Sequence, residues 1–175
     1  MSDAPEVAVF EAYRSRVGEV VGVSDWLQVT QRDVDLFAAL TDDWDYMHND
    51  PAWAEPRFGG TIVHALYVMA MIPKVTKSLN DGIPIVATDT AAALNYGYNN
   101  VRMIRPLLVG QRFKDTVTVK DVVEKRPGEY LVTELHAFVK EDEDSPFLVV
   151  EKLGYYTTGY GEKWRPDSTV NRQSR

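Results

Sequence analysis

The sequence predicts an α+β fold, an antiparallel sheet wrapped around a central helix, on three observations. Residues 61–77 carry apolar side chains around the whole helical circumference, with His64 the one charge-bearing residue before Lys74. A helix that is apolar all round is buried. A run of β-rich segments follows, broken by turn signals, and such strands need a second layer to cover their apolar face. The chain has 175 residues, 45% hydrophobic and 26% charged, which is the size and balance of one globular domain.

Taken in order, residues 4–13 read as a short helix with Val7, Phe10 and Tyr13 on one side. Residues 18–29 are rich in Val, Trp and Leu and interrupted by Gly22 and Ser24-Asp25, an early strand with a bend. Thr30 and Asp33 resemble a capping box, with Asp in place of the usual Glu or Gln, and Val34, Phe37, Ala38 and Leu40 give the following helix an apolar face that ends at Asp42. Asp50 and Pro51 begin about one helical turn over residues 51–55. Gly59-Gly60 permits backbone conformations that a side chain forbids. The central helix should break near Ile72, because Pro73 lies within it. After the turn signal Asn80-Asp81-Gly82 come candidate strands at 83–87, 91–104, 112–125, 129–141 and 147–158, with turns at 126–129 and 140–146. Residues 1–17 are expected to be an N-terminal helix or extension, 18–160 the domain, and 161–175 a polar tail.

Four aspartates and a histidine fall between Asp42 and Asp50, between two apolar segments. Asp43 and His48 are five positions apart, so a continuous helix would point them to different faces. Turn and cap formers between them allow the chain to bend and bring both to one side. A carboxylate beside an imidazole is an acid–base pair, since histidine titrates near neutrality and a close Asp fixes its tautomer. The same residues also fit a solvated turn. Asp42, Asp43 and Asp45 are close enough to repel one another, which would raise the pKa of one of them. Asp43, His48 and Asp50 also offer an oxygen and imidazole set that suits several divalent ions.

Residues Val29-Thr30-Gln31 through Phe37-Ala38, Asp43 and His48-Asn49-Asp50-Pro51, then Phe58-Gly59-Gly60-Thr61-Ile62-Val63-His64-Ala65, resemble the MaoC-like acyl dehydratases, the (R)-specific enoyl-CoA hydratase family. Leu94 to Arg102 and Pro106 to Gly110 resemble a second signature, that of the branch containing the nodulation protein NodN. The resemblance covers about residues 18–158 and implies the hot-dog fold, usually paired as a homodimer. It implies hydration of a trans-2-enoyl thioester, or dehydration of an (R)-3-hydroxyacyl thioester, with Asp43 and His48 activating one water. The backbone N–H of Ala65, where the family usually has Gly, would polarise the thioester carbonyl. Asp42 also replaces a common family Gly. Phe58, Gly59, Gly60, His64, Asn95, Tyr96 and Arg102 would bind substrate, although His64 also fits a hydrogen-bonded structural role and Asn95 and Tyr96 a packed turn at Gly97. Trp44, Tyr46, Trp53 and Phe58 fit either an acyl pocket or core packing. No metal or separate cofactor is implied, coenzyme A being part of the substrate. The alternatives are a silent acyl-thioester-binding or structural subunit, favoured by Ala65 and Asp42, and a hot-dog thioesterase, which leaves the Asp-to-His spacing unexplained.

The absence of cysteine removes disulfides, thiolate metal sites and a cysteine nucleophile. A net charge of −7 argues against nucleic acid. It also requires that cations for coenzyme A phosphates come from a few residues such as Lys74, Lys77, Arg102 or Arg105. No apolar run approaches a membrane span, and the first residues lack the basic start and apolar stretch of a signal peptide, so a cytoplasmic protein taking an acyl-CoA or acyl-carrier-protein thioester is expected.

Overall fold

The architecture, a computed structural model, is described for residues 5–77 and 91–158. The expected strand at 83–87, the turn at 80–82 and the polar tail lie outside these residues.

Alternation of apolar and polar residues builds the sheet. β4 (Arg112–Arg126) buries Phe113, Asp115, Val117 and Val119, and β5 (Glu129–Lys140) buries Tyr130, Val132, Glu134, His136 and Phe138. Successive side chains point to opposite faces, so each set lies on the inner face. β3 (Ala91–Met103) and β6 (Leu148–Thr158) complete an antiparallel order β1-β4-β5-β6-β3, with β1 at Val20–Val23 and β2 at Leu27–Gln28 both on β4. The bend expected within residues 18–29 is the break between β1 and β2, where Ser24 bonds the backbone of Asp115.

α1 (Pro5–Arg14) lies against this inner face. Phe10 stacks on Tyr130 with centroids 4.2 Å apart, and Tyr13 donates to Glu134 at 3.1 Å. That end of the sheet forms one apolar cluster with Val117, Val119, Val132 and Tyr156. The other cluster joins Val34, Val68, Ile72 and Val75 to Phe113, Phe138 and Leu148. Asp115, Glu134, His136 and Lys152 form a charged seam between them.

α2 (Gln31–Thr41) starts with the expected capping box, Asp33 N–H donating to Thr30 Oγ1 and Thr30 N–H to Asp33 Oδ2. It ends where Asp42 takes a left-handed conformation, φ 60°. Glycine suits such a position best, and Asp is among the few residues that adopt it readily. α3 is the single turn Tyr46–Asn49, and α4 runs Pro51–Phe58, longer than the one turn expected, with Asp50 accepting from Trp53 N–H. Gly59 follows α4 in the left-handed region, φ 81°.

The central helix is shorter and less buried than its apolar pattern predicts. It comprises α5 (Ala65–Ala70) and α6 (Ile72–Lys77), separated at Met71, with Pro73 in the first turn of α6, where no N–H is needed. Residues 61–63 are extended, because Val63 N–H donates to Leu107 O and Val109 N–H to Thr61 O, both at 2.8 Å. Leu66 on α5 is exposed. Among the described residues no helix is long and apolar enough to cross a membrane.

Candidate active site

The left-handed turn at Asp42 stops α2 and lets the chain double back, so Asp43 leads into α3 rather than continuing the helix. His48 sits in the last turn of α3. Gln31, the first residue of α2, holds this region with one amide: Nε2 donates to His48 O and to Asp35 Oδ1, both at 2.9 Å, and Oε1 accepts from Thr61 Oγ1 at 2.6 Å. Ile62 N–H donates to Met47 O, and His48 Nδ1 lies 2.6 Å from Ile62 O. A carbonyl oxygen only accepts, so Nδ1 carries the hydrogen and Nε2 of the neutral ring is bare.

His64, 3% exposed, joins the pair. Its ring stacks on His48 at 3.8 Å, and Nε2 lies 3.1 Å from the backbone oxygen of Asp43 and 3.8 Å from Oδ2. Burial pushes the His64 imidazole below its ordinary pKa; the Asp43 carbonyl opposes this and the neighbouring His48 adds to it. Asp42, Asp43 and Asp45 are all exposed, so water screens their mutual repulsion.

Asp43, His48, His64 and Ala65 line one cleft of about 450 Å³. Its remaining walls are chiefly apolar. Ile62, Leu66 and Val68 come from the central segment, Met103 and Ile104 from the end of β3, and Phe147 and Leu148 from the start of β6. Arg105 also lines it, but its guanidinium is tied to Ser145 and Glu143. Ring nitrogens of His48 and His64 and a carboxylate oxygen of Asp43 lie within 4.8 Å of one another, close enough for a divalent ion. His48 Nδ1, however, is already engaged by the Ile62 carbonyl and His64 Nε2 by that of Asp43. Asp50 does not belong to this group, because its carboxylate caps α4.

The other expected substrate residues do not line the cleft. Phe58 packs near Trp53, 6.1 Å between centroids, and Gly59 and Gly60 form the turn after α4. A Cβ on either glycine would meet only Leu108 Cδ1, at 4.0 and 3.9 Å, so their positive φ angles, not space, call for glycine. Asn95 donates to Tyr98, Tyr96 leans on Tyr155, and Arg102 is exposed on β3. Trp44 and Tyr46 are exposed, and Trp53 lies beneath Arg57 rather than forming an acyl pocket. The residues that sequence reasoning missed are Gln31, Met103, Ile104, Phe147 and Leu148. Their signal is long-range: the 61–63 and 107–109 segments pair, and Ile104 and Arg105 both donate to Phe147 O.

The MaoC like domain family matches residues 12–139. The chain is similar to 3-hydroxyacyl-thioester dehydratase Z of Mycobacterium tuberculosis, 34% identical over 141 residues, 79% of this chain and 89% of the relative. It is also similar to nodulation protein N of Rhizobium leguminosarum bv. viciae, 34% identical over 137 residues, 77% of this chain and 82% of the relative. Among solved structures, an (R)-hydratase from A. caviae involved in PHA biosynthesis superposes with a TM-score of 0.60 at 20% identity, over 78% of this chain and 95% of that one, a likeness of fold.

Proposed function

The chain belongs to the MaoC-like dehydratase family, with its α+β hot-dog fold, and from that premise we propose (R)-specific hydration of trans-2-enoyl thioesters or the reverse dehydration by Asp43 and His48. The observation that supports this reading is the pairing of a histidine whose Nδ1–H is held by Ile62 O with a carboxylate facing the same cleft. Two polar groups within 4.8 Å can share one water. The pair takes a proton from that water as its oxygen bonds to the β-carbon. The thioester carbonyl takes the displaced electron pair as an enolate, and the α-carbon then receives a proton from the pair. Dehydration runs the same steps backward.

The developing enolate oxygen needs a donor. Ala65 is the first residue of α5, so its N–H has no acceptor within the helix, and it lines the cleft. The apolar walls suit an acyl chain. An acyl-CoA or acyl-carrier-protein thioester is the proposed substrate and a homodimer the proposed assembly.

The test is incubation of the purified protein with crotonyl-CoA. The expected result is loss of the enoyl absorbance with formation of (R)-3-hydroxybutyryl-CoA. Release of free thiol instead would make the protein a thioesterase, and binding without turnover would make it a silent thioester-binding subunit.

A further inference from the structure

His64 has features that packing alone does not call for. It is buried between two rings, with Phe37 at 5.0 Å and His48 at 3.8 Å between centroids. Its Nδ1 is buried without a hydrogen-bond partner. A phenylalanine would fill the same slot and leave no bare acceptor, and an unsatisfied buried group is a cost. What the imidazole adds is Nε2. At 3.1 Å from the Asp43 carbonyl oxygen, which only accepts, that nitrogen must carry the hydrogen. The main chain at Asp43 is therefore anchored to the residue that precedes α5.

The second contact is the stack itself. The two imidazole planes lie 24° apart, and the other fixed point of the His48 ring is the Ile62 carbonyl on Nδ1. One hydrogen bond leaves a ring free to swing about the bonded nitrogen. A flat neighbour against its face removes that freedom.

We propose that His64 is a positioning residue for the water-activating pair, its Nε2–H holding the backbone of Asp43 and its ring setting the plane of His48. The inference rests on the Asp43–His48 reading and extends it to a third side chain, whose Nε2–H is engaged by the Asp43 backbone and whose Nδ1 is buried. Burial lowers the His64 pKa, which favours the neutral ring whose one hydrogen, on Nε2, makes the bond to Asp43.

Three variants separate the two contacts. His64→Phe keeps a flat ring and loses the donor, His64→Gln keeps an N–H donor and loses the ring, and His64→Ala loses both. With crotonyl-CoA, kcat should fall about 10²-fold in His64→Ala, the scale of a slightly misplaced catalytic group, with smaller losses in the other two and KM near wild type in all three. Long-range ¹H–¹⁵N spectra of histidine-labelled wild-type protein provide a readout independent of turnover, and the chain has only three histidines to assign. The expected spectrum has His64 protonated at Nε2 and His48 at Nδ1 when neutral, with His48 losing its single tautomer in His64→Ala. Wild-type turnover in a folded His64→Ala protein, or a His64 proton on Nδ1, would overturn the proposal. If His64→Ala does not fold, the wild-type spectrum and the Phe and Gln variants decide. If the wild-type protein does not hydrate enoyl thioesters, the proposed function fails, and the spectra still decide whether His64 orders the pair.

Discussion

The imidazole of His136 and the carboxylate of Asp115 meet at 2.6 Å inside the sheet, with side-chain exposures of 1% and 0%. Glu134 lies 3.8 Å from the other ring nitrogen and also takes Lys152 at 2.9 Å and Tyr13 at 3.1 Å. Burial alone pushes the imidazole down, but the hydrogen bond to Asp115 and the charges of Asp115 and Glu134 outweigh it and raise its pKa to about 8. A raised folded pKa means stability that is complete below the ordinary value of 6.5 and lost as pH climbs through about 8.

Thermal unfolding between pH 6 and pH 9.5 should therefore show a decline in Tm on the alkaline side. That shift corresponds to about 2 kcal/mol, or roughly 4–8 °C for a chain of this size. Glu134 acts in the opposite window. Burial raises its pKa, His136 and Lys152 more than reverse this, and its contribution fades as pH falls below the ordinary 4.5. His136→Gln should be less stable at pH 7 and should lose the alkaline decline. An unchanged alkaline decline in that variant would remove His136 as its source.

The edge of the sheet makes a prediction about assembly. β3 is 13 residues long and, among the described residues, pairs only with β6, while Leu94, Tyr96 and Met103 on it are exposed. A long edge with exposed apolar side chains is a surface for pairing. Sedimentation at micromolar concentration should give twice the 19.8 kDa chain mass. A species of 19.8 kDa alone would count against the dimer.

Ala65 offers a clean test of carbonyl polarisation, because it is the first residue of α5, where proline is well tolerated. The preceding His64 has ψ 123°, a conformation compatible with a following proline. Ala65→Pro should keep the fold, checked by circular dichroism, and lose about 3 kcal/mol of transition-state stabilisation. Ala65→Gly should keep or raise turnover. Full activity in the proline variant would take the Ala65 N–H out of the mechanism.

Local chemistry was readable from the chain, and long-range pairing was not. The Thr30–Asp33 box and the Asp50 cap involve residues three apart, so short spacing was enough to find them. The bend between Asp43 and His48 was also readable, since turn formers lie between them, and the non-helical residues 43–45, with Asp45 extended before α3, make it. Thr61 to Val63 read as helix because their apolar pattern suits one, and only their bonds to Leu107 and Val109 make them extended. The cleft walls at Ile104, Phe147 and Leu148 come from opposite ends of neighbouring strands, a proximity no short window contains. His64 fitted either a structural or a site role in sequence, and its stacking on His48 depends on that same fold.

The proposed chemistry depends on the Asp43–His48 pair, and the decisive measurement is the kcat of crotonyl-CoA hydration in Asp43→Asn, His48→Gln and the double variant. Each single change should lower kcat by roughly 10²–10⁴-fold, the usual worth of a positioned acid or base. Substrate binding should change far less, and Tm should hold, since Asp43 is half exposed among like charges. The double variant should be impaired much less than the product of the single effects, because groups that act on one water are not additive. Turnover near wild type in Asp43→Asn would contradict the mechanism, and a collapsed Tm would instead make Asp43 a structural residue of the turn.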